Sequence, residues 1–89
     1  MSIEEIVENI INDLLENQLT NYKLNLDSYF FGINSEIDSI DIVSSIAFIE
    51  DELEKNNIIL IDLFDKIFEN QELSFRLLTT LIIDLIDNK

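Results

Sequence analysis

The residues predict an all-α fold: one domain over residues 1–89, a four-helix bundle of three longer helices and one short one, with a long first loop. Three observations carry that expectation. The 89 residues include no proline and a single glycine, Gly32, so the tight turns of a β-sandwich lack their usual residues. Hydrophobic residues make up 47% of the chain, which is too many for disorder and enough for one thin core. The apolar residues recur at three- and four-residue intervals, in segments separated by asparagine-rich breaks.

The first segment opens at Ser2, with Glu5 three residues on, in the pattern of a capping box. Ile3, Ile6, Val7, Ile10 and Leu14 then follow at helical spacing, with Glu4, Glu5, Glu8, Asn12 and Asp13 between them, so a helix is expected to about Glu16. From Asn17 to Ile37 the period fails. A loop of this length is uncommon in a small domain and is often functional, and Tyr29-Phe30-Phe31 in its midst are expected to pin it to the core.

Asp38 or Ser39 can cap the second helix, which runs from Ile40 to about Lys55. Ile42, Ile46, Ile49 and Leu53 form its buried stripe, and Asn56-Asn57 end it. Ile58-Ile59-Leu60-Ile61 looks locally like a strand but has no convincing second strand to pair with, so an apolar loop on the bundle is expected. Asp62 can cap a short helix bearing Leu63, Phe64, Ile67 and Phe68. After Asn70-Gln71-Glu72 a last helix carries Leu77, Leu78, Leu81, Ile82, Leu85 and Ile86, starting between Ser74 and Thr79. No internal repeat, linker or low-complexity tract divides the chain.

Composition also removes whole classes of chemistry. Without cysteine there is no disulfide, thiolate zinc site or cysteine nucleophile, and without histidine there is no serine–histidine–carboxylate catalysis or imidazole ligation. The net charge of −14 repels nucleic acid and anionic membrane surfaces and favours basic protein partners. The acidic start, Met1-Ser2-Ile3-Glu4-Glu5, is unlike a signal peptide, so a cytoplasmic protein is expected. Asp62, Asp65 and Glu69 share a helix face and raise a calcium-binding reading, but Gly32 lacks the alternating acids of a calcium loop.

One segment stands apart: Glu36-Ile37-Asp38-Ser39-Ile40-Asp41-Ile42-Val43. It resembles the Asp-Ser-Leu attachment motif of the acyl carrier protein family, with Ile40 in place of leucine. The helix that follows, Ala47-Phe48-Ile49-Glu50-Asp51-Glu52-Leu53, is similar to the family's acidic Ala-Leu-Glu-Glu-Glu-Phe stretch. Leu26-Asp27-Ser28-Tyr29-Phe30-Phe31-Gly32-Ile33 resembles the Leu-Phe-Gly segment of one carrier subgroup. Ser74-Phe75-Arg76 resembles that subgroup's Ser-Pro-Phe-Arg-Thr approach to the last helix, without the proline.

The resemblance covers nearly the whole chain and implies an acyl-carrier-like bundle that is not itself an enzyme. Ser39 is then the attachment point of a 4′-phosphopantetheine arm derived from coenzyme A. A serine at a helix N-terminus suits that role, because free N–H groups and the positive helix end favour a phosphodiester there. The resemblance further implies a monomer that meets a phosphopantetheinyl transferase and then acyl-loading and acyl-using enzymes with basic docking patches. Asp38 and Asp41 match the acids that face the transferase, and Ile40 an apolar partner contact; Ser44, Ala47, Glu50 and Asp51 lie further along that face. Family members often carry glutamate and methionine where Ser44 and Ala47 stand. Beside the second helix, where acyl chains retreat in the family, Ser45 replaces an aliphatic residue and Phe48 a small one, so a short, polar or external cargo is expected. A peptidyl or aminoacyl carrier shares the fold and the serine, and an adaptor without a prosthetic group is a third alternative.

Overall fold

Ser2 starts the first helix in the computed structural model, which describes residues 1–88. Its hydroxyl accepts the Glu5 N–H at 3.1 Å and donates to the Glu5 carboxylate at 3.2 Å, a variant of the capping box. Helix α1 spans Ile3–Asp13 and continues into one π-helical turn, Leu14–Gln18, where the Leu19 N–H bonds the Leu14 carbonyl at 2.9 Å. The wide turn adds a residue to the period. It carries the buried stripe from Leu14 to Leu19, so the helical segment runs past the expected Glu16. Ile11, which the expected stripe omits, is fully buried because α1 packs against two other helices.

Helix α2 spans Ser39–Glu54 and buries the expected Ile42, Ile46, Ile49 and Leu53, together with Ser45. Asn57 ends it in the left-handed region at φ 63°. The Ile58 N–H bonds the Leu53 carbonyl at 3.0 Å and the Asn57 N–H bonds the Glu54 carbonyl at 2.9 Å, the Schellman pattern. The following apolar run stays a loop that buries Leu60 and turns Ile59 and Ile61 outward. Helix α3, Leu63–Phe68, buries Leu63 and Ile67. Phe64 and Phe68, expected beside them, are partly exposed and lie against each other with centroids 4.5 Å apart.

Two short strands depart from a purely helical fold. Strand β1, Tyr29–Phe31, pairs antiparallel with β2, Leu73–Ser74, through an irregular register that sets Tyr29 opposite Ser74 and Phe31 opposite Leu73. Phe30 and Phe31 thus pin the loop as expected, but as a strand: Phe30 is buried, and Phe31 meets Phe68 edge-on at 4.6 Å. Ser74 caps helix α4, Phe75–Asp87, by accepting the Leu77 N–H at 3.1 Å. The two N–H groups before it are taken by loop carbonyls, Phe75 to Ser28 at 3.0 Å and Arg76 to Leu26 at 2.9 Å. Among the described residues the protein is therefore mostly helical, with four helices, one π-turn and a two-stranded sheet around one core. No helix among the described residues is long and apolar enough to cross a membrane.

Candidate functional site

Three serines stand at helix starts, and they are used differently. Ser2 and Ser74 are caps whose hydroxyls accept a helix N–H. Ser39 is the first residue inside α2 and is exposed; the cap position belongs to Asp38, extended at φ −63° and ψ 147°. The Asp38 carbonyl accepts the Ile42 N–H at 3.0 Å, but its side chain makes no capping bond. The opening turn of α2 thus lacks the side-chain acceptor that α1 and α4 have. Anions are favoured at such a turn.

Tyr22, which the apolar spacing of the sequence does not single out, organises this start. The Tyr22 hydroxyl donates to Oδ2 of Asp41 at 2.6 Å and accepts the Asp38 N–H at 3.1 Å. The Asp38 N–H is the strongest single influence on the phenol and acts to lower its pKa. The Asp41 hydrogen bond, burial and the charges of Asp38 and Asp41 outweigh it together, so the phenol is held above the usual tyrosine value. The signal available in the sequence was a half-buried kind of aromatic in a polar segment, whose hydroxyl needs a partner. Just upstream of Asp38, the Ser35 hydroxyl donates to the Phe30 carbonyl at 3.0 Å and accepts the Ile37 N–H at 3.2 Å, tying the loop to β1.

Along α2, Ile40, Ser44, Ala47 and Asp51 form one exposed stripe, with Ile40 78% exposed. Val43, which the expected set lacked, is also exposed beside them. Glu50 borders the stripe half-buried, and its carboxyl is raised above the usual glutamate value by burial first and by the Asp51 charge second. Asp41 does not join the stripe. One residue on from Ile40 it lies roughly 100° around the helix, half-buried and turned to Tyr22.

On that same side of α2 a cavity of about 60 Å³ is lined by Gln18, Leu19, Asp41, Ser44, Ser45 and Phe48. The Ser45 hydroxyl donates to the Asp41 carbonyl at 2.6 Å, which satisfies it within the wall. A larger open groove of about 440 Å³ runs between α1 and α4 past Ile11, Arg76 and Ile83. Arg76 there donates to Asp27 at 3.2 Å. Among the described residues no three acidic side chains converge as a metal site would require. Comparison with protein-family models, curated proteins and solved structures returns no match.

Proposed function

We propose that the protein is an acyl carrier, holding acyl intermediates as thioesters on a 4′-phosphopantetheine arm joined to Ser39, in an acyl-carrier-like bundle. The observation that carries this reading is the exposure of Ser39 on the first turn of a helix whose cap residue makes no side-chain bond. A phosphodiester on its oxygen fits there, next to backbone N–H groups and clear of the core. The two segments that resemble a carrier subgroup also meet in space, since Phe75 and Arg76 donate to Ser28 and Leu26.

The arm supplies a thiol, which the cysteine-free chain does not otherwise have, so a thioester forms at one place alone. The chain's own residues then present the arm. Asp38 ends the loop in extended backbone, Ile40 and Val43 offer apolar contact, and Asp51 and its acidic neighbours attract basic partner enzymes. The carrier is acted upon and carries no catalytic group of its own. It works as a monomer in the cytoplasm, loaded first by a phosphopantetheinyl transferase.

The test is direct. With coenzyme A, Mg²⁺ and a broad-specificity phosphopantetheinyl transferase, the intact mass rises by one arm, and Ser39→Ala gains none while keeping its helical circular dichroism. An unmodified parent protein, or an arm on Ser28, Ser35 or Ser44, overturns the assignment.

A further inference from the structure

In a standard capping box the fourth residue, counting the cap as the first, reaches back with a glutamate to the N–H of the cap itself. Here the cap is Asp38 and the fourth residue is Asp41, whose carboxylate is one methylene shorter than a glutamate's. The Tyr22 hydroxyl lies between the two, accepting from the Asp38 N–H at 3.1 Å and donating to Asp41 at 2.6 Å. It completes the box as an inserted relay, and the short bond to the carboxylate is charge-assisted.

Both partners of the hydroxyl flank Ser39, one just before it and the other two residues after. Tyr22 packs against the core, and its backbone N–H bonds the Leu19 carbonyl at 3.2 Å, directly after the π-turn. A group anchored just after the first helical segment therefore grips the start of α2. Asp41 is correspondingly turned away from the exposed stripe of Ile40, Ser44, Ala47 and Asp51 and is half-buried.

We propose that Tyr22 is a positioning residue whose hydroxyl clasps Asp38 and Asp41, holding the backbone that presents Ser39 in one arrangement, and that Asp41 serves Ser39 through this clasp rather than as a free charge toward a partner. The functional half of this rests on Ser39 being the attachment residue. The structural half does not. Tyr22→Phe keeps the ring and removes the relay. Asp41→Asn removes the charge but keeps an oxygen that accepts from Tyr22, whereas Asp41→Ala removes both.

Two measurements on the full chain test the clasp: amide hydrogen exchange at Asp38, and the kinetics of arm transfer from coenzyme A. Loss of one charge-assisted bond is expected to speed Asp38 exchange roughly tenfold in Tyr22→Phe and in Asp41→Ala. The double variant is expected to be no faster than either single one, because both remove the same unit. Asp41→Asn is expected to stay within about threefold of the parent. In arm transfer, Tyr22→Phe and Asp41→Ala are expected to lower kcat with little change in KM, and Asp41→Asn to restore it. Asp41→Asn as impaired as Asp41→Ala, or Tyr22→Phe indistinguishable from the parent in exchange, overturns the proposal. If the parent takes no arm at all, the carrier reading fails, and amide exchange still decides the clasp.

Discussion

Phe30 and Phe75 meet edge to face, with ring centroids 5.4 Å apart and planes at 68°. One lies on β1 in the long loop and the other begins α4, and both are fully buried. The contact is where the segment before the candidate site is fastened to the start of α4.

Truncating that contact is expected to be expensive. Phe30→Ala removes a buried ring that nothing nearby can replace, so a loss of about 3–5 kcal/mol is expected in urea unfolding. Phe30→Leu, closer in volume, is expected to lose clearly less. A Phe30→Ala variant within about 1 kcal/mol of the parent would show that the loop is not held there.

Gly32 provides a second, independent check on the same region. Its φ is +118°, and a Cβ built on it would overlap the Glu72 Cβ and stand 2.7 Å from the Glu72 Cα. Backbone cannot retreat as a flexible side-chain tip can. Gly32→Ala is expected to cost at least about 1–3 kcal/mol from conformational strain alone. The readout is a lower melting temperature with helical content retained at low temperature.

Glu50 supplies the pH dependence. Its folded-state pKa is raised, chiefly by burial and then by Asp51, so the folded state binds this proton more tightly than the unfolded chain does. Its stabilising contribution is fully present below the unfolded glutamate pKa and is lost as pH rises through the folded value. At neutral pH the ionised group therefore opposes folding slightly. Glu50→Gln is expected to melt higher than the parent at pH 7 and to lose that advantage near pH 4; an equal offset at both pH values would contradict the assignment.

Cargo length tests the wall beside α2. The cavity that Phe48 helps to line measures about 60 Å³, which leaves little room for a long acyl chain. Each buried CH₂ is worth roughly 0.8 kcal/mol, so a sequestering carrier grows steadily more stable as its acyl chain lengthens. With acyl groups of increasing length on Ser39, the melting temperature is expected to level off early, and Phe48→Ala to extend the rise. A steady climb to long chains in the unmutated protein would sink this reading.

The parts of this architecture that were legible in the sequence share one property: they are periodic or local. Ile42, Ile46, Ile49 and Leu53 repeat along α2 and are buried, and the Ser2 cap acts within one turn. The exposed Ser39 at the helix start was equally readable, because a helix boundary is a local event. The missed features either join distant segments or break the helical period. Leu73–Ser74 is too short to show a strand period, and it pairs with Tyr29–Phe31, more than forty residues away. Tyr22 acts across the loop on residues far along the chain, and its sequence neighbourhood resembles any polar turn. The π-turn at Leu14–Gln18 shifts the helical phase by one residue, which a fixed period cannot anticipate.

The carbonyls of Leu26 and Ser28 that receive the first two N–H groups of α4 bear on how the chain reaches its folded state. Most of a helical protein's contacts are close in sequence, and such chains fold within microseconds to milliseconds. Here two N–H groups at the start of the last helix find their acceptors in the first third of the chain, across a closure that includes α2 and α3. The entropy of closing that span is lost before the pairing is gained. The helices are built from local contacts, but their union at α4 requires that long closure, so substitutions at this junction are expected to slow folding as well as to weaken the folded state.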